Sequence, residues 1–279
     1  MVPGLYRVFT KYVPINEVYD LSDEDVLIEE VKIILDGLEK QGIGSKRYHF
    51  PRAFQATDLL KDSNSGGVIV GAADTLIELG HPVTASVCLG MITKRDNLVA
   101  DDCVTVVGKE LQELPKGRHS FACLVLAKVT EANESCRHAL AKKMSSCDSL
   151  AGCMARVLSD RIWVRVSEEA LNRGISLGII GWHLISELKK EKDGLNKVEV
   201  IYIVSEKDHV NRLMPVADRL AEGKITRYKA KFSKREGCDS VLDCEECPEF
   251  FTCQVFKDAV VIARKKRNVV LKKRGVKQQ

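Results

Sequence analysis

Apolar residues recur at helical spacing at Leu27, Val31, Ile34, Leu35 and Leu38, which predicts an amphipathic helix near the N-terminus. Ser22 followed by Asp25 resembles a capping box. Asp23, Glu24 and Asp25 suit the positive end of a helix dipole, and Gly42 offers the stop. The polar, glycine-bearing stretch from Lys61 to Gly67 then reads as a loop. Beyond it the texture turns to short apolar runs rich in valine at Val68–Val70, Val83–Leu89, Cys103–Val107 and Phe121–Val129, separated by turn residues. These read as strands, with a short helix placed between Gly71 and Gly80.

From about Glu131 the pattern becomes helical and is read so to Leu158. In the following run, Ile162, Val164 and Val166 share one face of a strand. A helix over Leu177–Lys190, an apolar strand over Val198–Val204 and a helix over Asp208–Ala221 complete the alternation. Strands alternating with helices predict an α/β (α+β) fold of mixed sheets with covering helices. The expected organisation is an N-terminal helical or extended region over residues 1–64, a β-rich domain over 65–130, an α/β domain over 131–228, and a cysteine-bearing segment with a basic tail over 229–279. There is no internal repeat.

Composition narrows the class. Hydrophobic residues make up 45% of the 279 and charged residues 29%, as in an ordinary globular chain. No apolar run approaches the ~18 residues of a membrane span, and the first residues lack the layout of a signal peptide. The expectation is a cytoplasmic protein. The net charge of +4 comes mainly from the tail, where Arg264, Lys265, Lys266, Arg267, Lys272, Lys273, Arg274 and Lys277 crowd together. No aromatic residue is interleaved with them, so stacking on single-stranded nucleic acid is not supported and a solvated end is the simpler reading. No GxxxxGK[ST] or GxGxxG is present, so nucleotide binding has no phosphate-loop motif behind it.

Ten cysteines are many for a chain in a reducing compartment, where clustered thiols point to metal and scattered ones to small buried hydrophobes. Cys88, Cys103, Cys123, Cys136, Cys147 and Cys153 are scattered. Cys238, Cys244, Cys247 and Cys253 form the pattern C-x5-C-x2-C-x5-C. The x2 step lets two thiolates face one centre from a tight turn, and Pro248 limits the backbone beside it. Four thiolates suit tetrahedral zinc or a [4Fe–4S] cluster. One x2 knuckle with two x5 arms departs from the paired knuckles of structural zinc sites and favours the cubane. The surrounding segment has little apolar periodicity, so ligation would organise it in place of a core. The six histidines are dispersed and form no HExxH.

Four stretches together resemble acetyl-CoA synthase, the nickel–iron–sulfur subunit of the carbon monoxide dehydrogenase/acetyl-CoA synthase complex. They are ELGHPVTASV (78–87), VTVVGKELQEL (104–114), DRIWVRVSEEALNRGISLGIIG (160–181) and KVEVIYIVSEKDHVNRLM (197–214). The resemblance covers about two-thirds of the chain and rests on the order of elements. It implies a cubane on the four clustered cysteines, at spacings that depart from the family's. In that family a second nickel sits in a Cys-Gly-Cys segment, which is absent here, so nickel is not supported and a truncated relative is implied. Trp163 resembles a family tryptophan linked to coenzyme A. With Arg165 on the same strand face it would hold an adenine or a phosphate by stacking and charge, against the simpler reading of a half-buried strand tryptophan.

The function so implied is that of an iron–sulfur protein of anaerobic one-carbon metabolism. It would serve in electron transfer or metal-cofactor assembly beside other iron–sulfur or corrinoid subunits of a larger complex. Two alternatives stand next to it. One is a minimal acetyl-CoA synthase-like enzyme that completes a nickel site with a partner. The other is a zinc-stabilised module that binds nucleic acid through its basic tail.

Overall fold

A computed structural model of the protein describes residues 22–51, 71, 73–131, 134–145, 152–158, 160–190 and 195–232. The four clustered cysteines, Cys147, the loop read at Lys61–Gly67, the strand read at Val68–Val70 and the basic tail lie outside these residues, and of Ser22 only the backbone is described. A compact unit ends at Arg227.

Helix α1 (Ser22–Lys40) forms where the apolar spacing places it. Leu27, Ile28, Val31 and Leu38 are buried along one stripe. Its acidic first turn also grips the sheet. Glu24, 2% exposed, accepts from the Ile92 amide at 3.0 Å and pairs with Arg137, and Asp25 accepts from Thr93 Oγ1 at 2.5 Å.

The strands are β1 (Ser45–His49), β2 (Thr75–Leu79), β3 (Ser86–Thr93), β4 (Cys103–Gly108), β5 (Gly117–Val129), β6 (Cys153–Leu158), β7 (Arg161–Ser167) and β8 (Leu195–Ser205). They form one mixed sheet in the order β1-β4-β8-β5-β2-β7-β6, with β3 also paired to β5. Strand β5 is long enough to take two neighbours on one edge. Its start pairs with β2 through Gly117–His119, and the stretch from Phe121 to Lys128 pairs with β3. Along its other edge it runs antiparallel to β8. The division expected at residues 130 and 131 falls inside this sheet, because β4 and β5 from before it flank β8 from after it.

Both faces of β5 and β8 are covered, which is why they read as unbroken apolar runs rather than alternating ones. One face of the sheet packs Phe121, Cys123, Val125, Val200 and Tyr202 against helices α2 (Glu134–Ser145) and α4 (Leu177–Lys189). The opposite face packs Ala122, Leu124, Ile201 and Ile203 against α1, α5 (Lys207–Asn211) and α6 (Met214–Phe232). A short helix, α3 (Glu168–Asn172), follows β7 and is capped by Ser167. Helix α4 begins on Ser176 and on the buried Glu110 carboxylate, which accepts from the Leu177 and Gly178 amides at 3.0 and 3.3 Å. A negative group there offsets the helix dipole. Burial, reinforced by Glu110 beside it, pushes the Tyr48 hydroxyl up to about 12, so it stays protonated.

Four expectations are corrected. Residues 71–80 carry strand β2 instead of a helix, because Thr75–Leu79 fills the slot between β5 and β7 and tertiary pairing overrides a weak local preference. The helix read from Glu131 to Leu158 is observed over Glu134–Ser145 and does not extend to Leu158. Cys153–Leu158 instead pairs antiparallel with β7 from Cys153↔Val166 to Leu158↔Arg161. The helix read over Asp208–Ala221 is two helices broken at Arg212 and Leu213, since Pro215 cannot donate to a preceding turn and suits the start of a new one. The strand read at Val83–Leu89 begins three residues later, and Val83 is exposed.

Candidate functional site: an arginine–tryptophan platform at the fork of the sheet

Where β5 exchanges β2 for β3, the chain must leave the sheet and re-enter it within a few residues. Gly80 makes this exit at φ 67°, with its amide on the His119 carbonyl at 2.8 Å. Strand β7 is held close by Ser86, whose Oγ donates to the Ile162 carbonyl at 2.5 Å and accepts the Ile162 amide at 2.9 Å. The residues around this junction carry a cluster of charged and aromatic contacts.

Alternation along β7 sends Ile162, Val164 and Val166 into the core and leaves Trp163 and Arg165 on the outer face, both part-buried. The strand face predicted for this pair is therefore the one observed. On β2, Ile77 and Leu79 point to the core and Glu78 lies on the outer face, only 8% exposed. Register sets Glu78 opposite Arg165 on one side and opposite Arg118 on the other. On β6, Arg156 stands opposite Trp163 and is exposed.

The contacts converge on the Glu78 carboxylate. Oε1 accepts from Trp163 Nε1 and from Arg165 Nε, each at 3.0 Å. Oε2 accepts from Arg118 Nε at 2.9 Å and lies 3.9 Å from His81 Nε2. The Arg165 guanidinium carbon sits 4.1 Å from the centroid of the Trp163 ring, a cation–π contact worth about 0.5–2 kcal/mol. His81 meets the same indole edge-on at 6.2 Å. Burial alone would raise the Glu78 carboxyl. Hydrogen bonds from Arg165 and Arg118 and the nearby His81 outweigh it, so the carboxyl lies below the usual carboxylate range and is ionised at neutral pH.

Chemically, this face offers a guanidinium–indole stack for a planar ring, with arginine donors suited to an anion such as phosphate. One indole face already carries Arg165, so the stacking surface for a base is the Arg165–Trp163 pair rather than a bare tryptophan.

The expected metal site cannot be placed, since Cys238, Cys244, Cys247 and Cys253 lie outside the described residues. Among the described residues no group of three or more His, Cys, Asp or Glu could hold a metal. Cys88, Cys103, Cys123, Cys136 and Cys153 are buried, as expected for small core residues. Burial, with a contribution from the Glu199 charge, pushes the Cys103 thiol up to about 11, which leaves it a poor nucleophile. Trp182 is part-buried against the core.

Sequence reasoning missed Glu78, Arg118 and His81 as members of the platform. The available signal was a lone acid in the apolar run TLIEL, which signifies a partner when the run is a buried strand. No described helix is long and apolar enough to cross a membrane.

Fold and platform together define an α/β domain with an arginine–tryptophan cluster on one face of its sheet. Residues 63–210, more than half the chain, match the family described as CO dehydrogenase/acetyl-CoA synthase complex beta subunit, and the chain belongs to that family. It is similar to the acetyl-CoA decarbonylase/synthase complex subunit beta of Methanopyrus kandleri, 28% identical over 191 residues, covering 67% of this chain and 38% of that protein. The subunit beta 1 of Methanocaldococcus jannaschii is 24% identical over 186 residues, covering 66% and 24% respectively. The subunit beta of Methanothermobacter thermautotrophicus is 25% identical over 186 residues, covering 66% and 39%. The match thus spans well under half the length of these relatives. All five platform residues fall inside the matched span 63–210, and the four clustered cysteines fall beyond it.

Proposed function

We propose that this chain is a subunit of a CO dehydrogenase/acetyl-CoA synthase-type assembly of anaerobic one-carbon metabolism, and that its platform receives the nucleotide end of coenzyme A. The observation that carries this reading is the Arg165 guanidinium stacked on Trp163 beside Arg118, on one face of the sheet and within the family-matched span. Adenine supplies a planar ring for the stack, and the phosphates supply anions for the arginines.

Isothermal titration of the full chain with coenzyme A tests it. Binding is expected for the parent protein, and Arg165→Gln is expected to weaken it about tenfold, the order of one charge-assisted hydrogen bond. Equal affinity for parent and variant would refute the assignment of the site.

We propose further that Cys238, Cys244, Cys247 and Cys253 hold a [4Fe–4S] centre that passes electrons to, or helps assemble a metal cofactor in, neighbouring iron–sulfur or corrinoid subunits. The support is the donor set, four thiols within sixteen residues, which matches the ligand count of such a cluster. A bound cluster would supply one-electron redox chemistry. Iron, sulfide, zinc and nickel analysis after anaerobic purification is expected to give about four irons per chain, lost in Cys247→Ala. Zinc in place of iron would turn the segment into a structural knuckle, and stoichiometric nickel would revive a synthase-like centre.

A further inference from the structure

We propose that Glu78 is the positioning residue of the platform: its carboxylate holds Trp163, Arg165 and Arg118 as one preorganised surface for the phosphate-bearing nucleotide. This rests on the reading of that face as the coenzyme A site.

Three features of the geometry point to it. First, Glu78 occupies the middle strand of the three that build the face, and register places it directly between Arg165 and Arg118. No other residue on β2 stands opposite both arginines. Second, the two oxygens divide the work. One accepts from the indole and from Arg165, which fixes the guanidinium above the ring, and the other accepts from Arg118. A tryptophan N–H only donates and a guanidinium only donates. An ionised carboxylate, an acceptor with two oxygens, therefore satisfies all three at once, whereas an amide offers a single acceptor oxygen and adds donors that oppose the guanidinium groups. Third, both arginines are gripped at Nε, the nitrogen nearest the chain. A guanidinium held at Nε keeps its Nη pair for a second partner, and paired bonds of that kind suit phosphate; Arg118 is the arginine placed to offer them. The Arg118 side chain is 55% exposed, so it is held at its base while its end meets solvent.

The buried carboxylate thus spends its charge aligning its neighbours and does not itself contact the ligand. A salt bridge serving only to tie β2 to its neighbours would show in stability and leave ligand affinity alone. Charge and reach also separate. Glu78→Gln keeps the length and removes the charge, whereas Glu78→Asp keeps the charge and draws it back by one methylene.

The test measures coenzyme A affinity and melting temperature for the full chain and both variants, with Trp163 emission followed in a Trp182→Phe background. Only two tryptophans are present, so Trp163 is then the sole indole. Glu78→Gln is expected to weaken coenzyme A binding about tenfold, and Glu78→Asp several-fold, as charge-assisted contacts are lost. Both should shift Trp163 emission to longer wavelength as the clamp opens to water. If either variant retains the parent's affinity and emission, the positioning role is wrong even though the site stands. If Asp alone restores full affinity, charge rather than geometry is what matters, and the proposal fails. If the parent does not bind coenzyme A, the reading of the face fails and takes this inference with it.

Discussion

Truncating Phe121 to alanine is expected to destabilise the protein by about 4 kcal/mol, near the middle of the range for a large buried aromatic. Phe121 is 1% exposed and stacks on Tyr202, with ring centroids 5.5 Å apart and planes inclined at 21°. It stands on β5, the strand that joins β8 to both β2 and β3, so no element can slide to fill the gap without breaking ladder pairing. A cavity of about 20 Å3 already lies beside it, lined by Cys88, Cys123, Met144, Ile180 and Tyr202 among others. That is room for roughly one water, in apolar surroundings that offer a water few partners. Removing the ring would merge with this space, and cavity volume adds to the transfer cost. Thermal unfolding should drop by on the order of 10 °C for a unit of this size. A fall of only one or two degrees would mean that the site collapses or that Phe121 is not central to the core.

Gly80→Ala is expected to cost about 3 kcal/mol from strain and clash together and to abolish coenzyme A binding with it. A Cβ at Gly80 would lie 2.1 Å from the Ile162 carbonyl oxygen and 2.9 Å from Ser86 Oγ, on a backbone already at φ 67°. Backbone cannot yield as a side-chain end can, so β7 must move away from β2. Trp163 follows Ile162 directly, and its bond to Glu78 spans that same gap. Gly174 supplies the control. It also has a positive φ, 85°, but no atom within 4 Å of an added Cβ, so Gly174→Ala should cost only the conformational strain, about 1 kcal/mol, and leave ligand affinity unchanged. Similar losses of affinity in the two variants would show that the effect is global instability and not the displacement of β7.

The contrast between these positions also explains what could be read from residue pattern. Helix α1, helix α4 and strands β5 and β8 were legible because each is long enough for its periodicity to stand out and each buries a full face. Strands β2 and β6 were not. TLIEL is five residues long, and its apolar positions fit a turn of helix as well as a strand. CMARVL follows a genuinely helical stretch with no proline between them. Pairing with β7, supplied by distant sequence, decides both.

The platform divides in the same way. Trp163 and Arg165 are two residues apart, and a period of two puts them on one face without further information. Their partnership with Glu78 joins positions 85 and 87 residues apart, and that of Arg118 with Glu78 joins positions 40 apart. Only the sheet register creates these contacts. Reading residues 71–80 as helix hid Glu78, since a single acid on a helix asks for no partner whereas one in a buried strand does.

The outer face of β7 and β2 is the proposed coenzyme A surface. Photolabelling the full chain with coenzyme A bearing an azide on its adenine, followed by mapping of the labelled peptides, tests this most directly. Label on the peptides containing Trp163 and Arg165, competed away by unmodified coenzyme A, is the predicted result. Competable label confined to peptides from another part of the chain would contradict it.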